Sequence, residues 1–560
     1  MIHGLLGLAE EGAAFLPDEF DESTANLSRL LLADLNAELH TIIRAYPMPF
    51  ASDTPSLLPY GFGYGSFGWV DPDDIIDDND AVLVSQRLFY TGDNDVPANH
   101  HVEARLAVAF NYQSGISQPL AGSGVASGFG QIVYSNPDGD KDAFINMSWD
   151  GRPVQVFVGG TFNKGRFNET VLEFNEYATA FSGLAAGIEW DNQRITVALS
   201  SPELKFNLPF NTSTYAGTGV GDIEGDTENA GQVRPTTLGQ VSRIPGKIID
   251  KTNFVYQVHD GEISAVTAGY NDATLLTSAG SVADVWAWTP VTDQYVYDLT
   301  NGLIRLGSEQ TGQVSFDVKG STLGGSYDND AAYLARWLAQ QSGLPLEQIS
   351  YAAVSSRPSG VYYDGLVTIK QAINDLINPF QAWHFAFGGV FTIVDYIDPA
   401  DVVTFFTLID GNPDGTNETA NIVAGSLKSG VSPQPVWRVA INHSRNNTRL
   451  NEGAEYTEEY ETSAAENLIT KGSFPRAREI EINGLGSASE DTLAAALLSS
   501  ERKRKRVYSM VLTRLKFRLA VGDVVTLKSD RFGLSSGIKG QILKLVERDN
   551  VTEITGLFNV

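Results

Sequence analysis

The sequence predicts a mainly β protein with α+β elements, divided into several domains. Three observations predict it. The chain has 560 residues, and at roughly 150 residues per domain that is too long for a single core. Glycine is abundant, at 54 residues, and aromatics reach 10%; glycine supplies the positive-φ turns that join short strands. Apolar residues make up 42% and charged residues 19%, a globular balance that argues against wholesale disorder.

Composition shifts suggest four regions: an N-terminal segment with an amphipathic helix over 1–45, a β-rich region over 46–320, an α+β domain over 321–435, and a β-barrel-like region with one helix over 436–560. Taken in order, the first element is a helix from about Asp21 to Ala45, with Leu27, Leu30, Leu31, Leu35, Leu39 and Ile43 near helical spacing and Ser23 or Thr24 as N-cap. A glycine–aromatic loop, Tyr60 to Trp69, and an acidic stretch, Asp71 to Asp80, follow. The loop reads either as a contact with another subunit or as a locally folded turn.

From 80 to 330 the pattern is β. Ile145, Met147 and Trp149, the Asp150-Gly151 turn, and Val154, Val156 and Val158 read as a hairpin across Ala143–Gly160. Gly187–Ser200 repeats the design, with Trp190-Asp191 entering its turn. Thr212–Val241, rich in glycine, reads as a long excursion between elements. Beyond Lys319 the pattern changes. Asp330 caps a helix to Ser342 with Leu334, Trp337, Leu338 and Gln341 inward and Gly343 as its stop. A second helix runs from Thr368 to Asn378 on Ile369, Ala372, Ile373, Leu376 and Ile377. Trp383–Phe387 and Val390–Val394 make a hairpin on Gly388-Gly389. A further helix runs from Ser489 to about Arg506 on Leu493, Ala496, Leu497 and Ser500. Its cations Arg502 to Arg506 would offset the helix dipole. Strands close the chain at Val507–Leu519, Val524–Lys528, Gly540–Glu547 and Glu553–Asn559.

The net charge of −29 argues against a protein that grips nucleic acid through its phosphates. An acidic surface suits solubility, or a wall past which DNA slides. The absence of cysteine excludes disulfides, thiolate metal sites and cysteine nucleophiles. Met1–Glu11 lacks the basic start of a secretory signal, and no apolar run reaches the roughly 18 residues of a membrane span.

Catalytic and metal motifs are missing. The histidines His3, His40, His100, His101, His259, His384 and His443 are scattered, and adjacent residues such as His100 and His101 point to opposite faces of a strand. Asn136 to Asp142 alternates aspartates like a calcium loop, but the sixth and twelfth positions counted from Asp138 are Ala143 and Trp149, so an acidic hairpin turn is expected. Asp410 to Gly415 reads as another turn. There is no nucleophile elbow, phosphate loop or dinucleotide signature, and no carboxylate pair stands out for glycosidic chemistry. No catalytic, cofactor-binding or metal residue is therefore expected, no cofactor is implied, and the chain does not read as an enzyme.

Five stretches, in order, resemble the trimeric hub proteins of long-tailed phages, relatives of the myophage baseplate hub and the siphophage tail-tip protein. They are Gly130–Gly139 with Asp150–Val156; Tyr215–Gly225 with Pro235–Val241 and Val255–Gly261; Gly312–Gly320; Trp437–Val439 with Arg445-Asn446; and Leu519–Leu527 with Asp530–Leu534. The resemblance implies β-barrel, tube-type domains plus smaller α/β domains that assemble as a ring. It also implies a structural role as a homotrimeric virion component at the distal end of the tail, closing the tail tube, adapting hexameric to trimeric symmetry, and forming part of the conduit for genome ejection. The partners it implies are copies of the chain itself, the distal tail ring protein, the tape-measure protein, and the spike or fibre proteins of host attachment. Lacking cysteine and ending soon after the Gly522-Asp-Val-Val-Thr526 strand, the chain resembles a hub without iron–sulfur cluster or fibre. A secreted or virion-surface β-rich carbohydrate-binding module, adhesin-like, is the alternative from the residues alone.

Overall fold

The computed structural model describes residues 38–45, 48–49, 82–85, 105–108, 112–118, 123–126, 130–162 and 170–171, and from 178 onward the chain apart from short stretches, the longest being 449–461. The architecture is mainly β with several sheets, as the composition predicts.

Two large sheets share the first core. One is antiparallel and seven-stranded, in the order Val82–Ser85, Glu38–Ala45, Pro153–Phe162, Ala178–Trp190, Arg194–Ser200, Gln131–Ser135, with Thr170–Val171 on the flank of Pro153–Phe162. The other runs Thr407–Asp410, Val524–Ser529, Ile538–Arg548, Val551–Asn559, Lys505–Thr513, Lys428–Ser429, and takes Tyr112–Gln118 onto Ile538–Arg548. Alternation along the strands makes the core. Ile132 and Tyr134, Val154 and Val156, and Ile195, Val197 and Leu199 from the first sheet meet Tyr508, Met510, Leu512, Ile542 and Phe558 from the second. Both ends of the chain thus build one interior.

Two expectations fail here. Glu38–Ala45 is a strand, in eight-residue register with Pro153–Phe162, not the end of a helix. The spacing of four from Leu35 to Leu39 to Ile43 fits a period of 2 as well as 3.6, and non-local pairing decides between them. Residues 21–37 lie outside the described residues, as do the glycine–aromatic loop and the acidic stretch after it. The expected hairpin across Ala143–Gly160 is also absent. Asp142–Asn146 is a short 3-10 turn, and Met147–Ser148 pairs with Met48–Pro49 rather than with Pro153–Phe162. The bend at Asp150-Gly151 is real, closed by Arg152 N donating to Trp149 O at 3.0 Å. The burial of Trp149, whose indole donates to Phe144 O at 2.9 Å, explains the apolar pattern without a ladder. The second site, Ala178–Trp190 with Arg194–Ser200, is the hairpin expected.

The second unit packs two five-stranded sheets face to face. One orders Thr274–Leu275, Ile263–Asn271, Val314–Ser321, Thr236–Ile244 and Gly360–Tyr363; the other orders Lys247–Asp250, Val255–Gln257, Leu303–Leu306, Gln294–Asp298 and Thr277–Ser281. Ile244, Val258, Tyr295, Ile304, Phe316 and Val318 fill the space between them. Three glycines let backbones approach within the first of these sheets. A Cβ at Gly239, which sits at φ +67°, would lie 2.1 Å from Ser359 O; one at Gly360, 2.2 Å from Gln240 O; one at Gly320, 2.3 Å from Thr237 O.

The helices form as predicted where caps and periodicity agree. Helix α1, Ala331–Gln341, starts on Asp330, whose Oδ1 accepts from Ala332 N and Tyr333 N at 3.0 Å each. Its buried face is Ala331, Ala332, Leu334, Ala335, Leu338 and Ala339; Trp337 is half-buried and Gln341 is exposed, so the inward face is rotated from the one expected. Helix α2, Ile369–Ile377, is capped by Thr368 and buries all five residues anticipated. With the hairpin Trp383–Phe387/Val390–Val394 the two helices enclose a separate core.

A fourth core joins the three-stranded sheet Thr462–Glu466, Val436–Asn442, Arg478–Asn483 to a helix near the C-terminus. A short helix that the sequence did not announce, α3, Leu468–Ser473, lies between two of those strands. The C-terminal helix α4, Glu490–Glu501, is shorter than expected and buries Ala494, Leu497 and Leu498. Lys505 and Arg506 belong instead to strand Lys505–Thr513, and the last turn of α4 carries no cation. The alternation from Lys505 onward, with Tyr508, Met510 and Leu512 inward, overrides the dipole preference.

Candidate assembly surfaces

The glycine-rich excursion folds into a clasp over the second unit. Tyr215, fully buried, donates its hydroxyl to Gln257 Oε1 at 2.6 Å, and burial pushes that phenol well above its ordinary range. Arg234 lies 5.0 Å over the Tyr215 ring and pairs with Glu224 at 2.6 Å and with Asp260 at 3.4 Å. Glu224 also accepts from Ala216 N at 2.9 Å, and this bond, with the one from Arg234, lowers its carboxyl. At the other end Asp250 is held low. Burial acts to raise it, but bonds from Asn253, from the Trp286 indole at 3.1 Å and from Gly221 N at 2.9 Å outweigh that effect. Tyr215–Gly225, Pro235–Val241 and Val255–Gly261 are thereby tied together, with Asp260 N also donating to Pro235 O at 2.8 Å.

Arg305, nearly fully buried, staples the loop over Val285 to Trp288. Its Nη1 donates to the carbonyls of Val285 and Trp286 at 2.9 Å and of Trp288 at 3.1 Å. The segment after Trp437–Asn442 is a second fastening. Asn447 Nδ2 donates to Ser242 O at 2.9 Å, and Gln313 Nε2 donates to Thr448 O at 3.1 Å. These bonds join the fourth unit to the second.

The acidic turn at Asn136 to Asp142 is held by protein groups. Arg105 grips Asp138 through two bonds of 2.9 Å and reaches Asp140 at 3.2 Å, and Asn136 Nδ2 donates to Asp142 Oδ1 at 2.9 Å. The Arg105 bonds, joined by Asp140 N, bring exposed Asp138 down to about 2. The turn connects Gln131–Ser135 to the 3-10 turn, not two strands of one hairpin. Asn136 N donates to Gln193 O at 2.7 Å, so the turn sits beside the tip of the Trp190 hairpin. At that tip Asp191 Oδ1 accepts from Gln193 N and Arg194 N at 2.7 Å each. Asp410 accepts from Ser529 Oγ at 3.0 Å, and Gly411 beside it sits at φ +77°; residues 412–415 of that turn lie outside the described residues.

His259 and His384 are buried and hydrogen-bonded. His259 is buried, and its Nδ1 accepts from Thr237 N at 3.1 Å; burial lowers it to about 4, a neutral imidazole. His384 is buried between Glu203 Oε1, 3.1 Å, and Asn374 Oδ1, 3.0 Å. His443 is buried too, and His40 lies in strand Glu38–Ala45; His3, His100 and His101 lie outside the described residues. Among the described residues no group of three or more histidine and acidic side chains is placed to hold a metal, and no helix is long and apolar enough to cross a membrane.

Several large apolar side chains are left in solvent, among them Trp190 at 57% exposure, Phe532 at 71%, and Leu468 and Ile469 of α3 at 68% and 82%. Phe532 sits at φ +61°, a conformation that costs a bulky residue energy. The sequence pointed toward two of them, through the Trp190-Asp191 turn entry and the Asp530–Leu534 stretch.

No family model and no curated protein matches the sequence. Solved structures do match, and tail and virion proteins are among them. One is the tail protein of Neisseria meningitidis MC58, 9% identical, TM-score 0.35, covering 80% of this chain and 91% of that one. Another is the 43 kDa tail protein of prophage MuSo2 from Shewanella oneidensis, 9% identical, TM-score 0.36, with the same coverage. A third belongs to the virion of a native gene transfer agent particle, 10% identical, TM-score 0.38, covering 59% of this chain and 85% of that one.

Proposed function

We propose that the chain is a structural protein of a phage tail tip, a baseplate hub that works by assembling with copies of itself. The observation that carries this reading is the behaviour of the five hub-like stretches. They fall in order on strands and turns of one frame, and the second set is drawn from three separate positions into the Tyr215–Arg234 clasp. A feature made of backbone bonds and ion pairs is read here as a shape-determining device rather than a catalytic one.

In this reading the hub is a homotrimer at the distal end of the tail. It closes the tail tube, adapts hexameric tail symmetry to a trimeric tip and lines part of the DNA path. Its neighbours are the distal tail ring, the tape-measure protein and spike or fibre proteins. The net charge of −29 repels nucleic acid and keeps the path slippery. Exposed Trp190 and Phe532 are of the type enriched at protein interfaces. The domain boundaries 1–45, 46–320, 321–435 and 436–560 are proposed as functional regions of the hub, with the first core built mainly from the second and the last. Negative-stain imaging of the purified chain tests the reading: trimeric rings are expected, and a monodisperse monomer that binds glycan would overturn it in favour of a carbohydrate-binding module.

A further inference from the structure

Lys505 opens strand Lys505–Thr513 and stands directly opposite Asn559 in the ladder with Val551–Asn559. Opposed residues of an antiparallel pair project to one face, with Cβ atoms about 4.5–5.5 Å apart. The opposed pair Ser509 and Thr555 on this same ladder shows it, hydroxyl to hydroxyl at 3.0 Å. This is the face turned away from Tyr508, Met510 and Leu512. At the Lys505 end it is roofed by the end of α4 and by the turn Pro399–Asp401.

Under that roof Lys505 and Glu501 have side chains only 4% and 3% exposed, with the ammonium directly on the carboxylate. Asn559 Nδ2 donates to Asp398 Oδ1 at 2.8 Å, while Asn559 Oδ1 is buried without a partner. The second oxygen of Asp398 takes the Lys503 ammonium. The site therefore holds a buried primary amine, a carboxylate in contact to take its proton, and across the ladder a side-chain amide. The amide's NH2 is gripped by a second carboxylate.

We propose that Lys505 and Asn559 form an intramolecular isopeptide bond, with Glu501 as proton carrier. Glu501 takes a proton from the Lys505 ammonium, and the freed Nζ lone pair attacks Asn559 Cγ. The Nζ–Cγ bond forms and the Cγ–Nδ2 bond breaks. One further proton passes from Nζ through Glu501 to Nδ2, which leaves as ammonia and departs as ammonium with the proton first taken up. Nothing is oxidised or reduced and no co-reactant is consumed. The ladder register sets Lys505 and Asn559 opposite each other on one face, so that less ordering remains for the reaction than between free groups. The product welds the last strand of the chain to the strand that follows α4.

Intact mass of the denatured full chain, with peptide mapping, tests this. The wild-type mass is expected to fall short of the sequence mass by one ammonia, with a branched peptide joining Lys505 to the C-terminal peptide that carries Asn559. Asn559→Ala and Glu501→Gln are expected to leave the two peptides separate, and Ser509→Ala, on the same face but outside the site, is expected to link fully. Wild-type chain, folded by circular dichroism, with the full sequence mass overturns the proposal, and so does a branch at any other pair. Linkage undiminished in Glu501→Gln overturns the role of Glu501. The wild-type mass decides even if a variant fails to fold.

Discussion

At the residue scale, buried groups set the sharpest expectations. His259 is neutral in the fold, lowered to about 4 from an ordinary value of 6.5. The unfolded chain binds this proton below about 6.5 and the folded chain only below about 4, so the stability His259 permits is complete above pH 6.5 and is lost as pH falls toward 4. The loss amounts to roughly 3 kcal/mol across that window. Urea titrations between pH 7 and pH 4 are expected to show it, and His259→Gln, which cannot take up that proton, should flatten the slope. A slope unchanged by the substitution would contradict the assignment. Gly360 gives a second expectation. Its missing Cβ would lie 2.2 Å from Gln240 O, so Gly360→Ala forces two strands apart. A stability loss on the order of 2 kcal/mol or more, read from the denaturant midpoint, is expected.

At the scale of elements, the helices show what local sequence can specify. Asp330 caps α1 through two backbone bonds and also accepts from Arg357 N at 2.8 Å. Asp330→Ala should therefore cost about 1–2 kcal/mol, in thermal or urea unfolding, at the upper end for a lone cap. Helix α2 and the Trp383–Val394 hairpin were legible for the same reason: cap, period and turn residues lie within a dozen positions of one another. Glu38–Ala45 was not, because its partner strand is more than a hundred residues away and a spacing of four fits both periods. Met147–Ser148 went astray for the same cause, its partner being Met48–Pro49. The basic run Arg502 to Arg506 read as a helix end by charge, yet Lys505 is buried against Glu501 and starts a strand. The clasp was visible only as glycine-rich sequence; nothing local could say that Arg234 would join Glu224 to Asp260. Arg305→Met should loosen the loop over Val285 to Trp288, and limited proteolysis is expected to cut there in the variant and not in wild type.

For the whole molecule, the decisive fact is that one core is built from both chain ends. Ile132, Val156 and Leu199 pack with Tyr508, Ile542 and Phe558, and Tyr112–Gln118 completes the sheet on Ile538–Arg548. A fragment spanning 398–560 therefore exposes an apolar sheet face. It is expected to be insoluble or to lose near-ultraviolet circular dichroism, whereas a cooperative unfolding transition for that fragment would contradict the shared core. The order of the hub-like stretches was legible from the sequence. The surfaces that would meet other chains were not, because exposure of Trp190, Phe532, Leu468 and Ile469 depends on which turns the folded chain leaves uncovered. The central claim is that this chain acts by assembling with itself. Its most direct test is the mass of the purified full chain in solution by light scattering, across a concentration series. The account predicts a species of three chains; a chain that stays monomeric at every concentration, and binds glycan in that form, would contradict it.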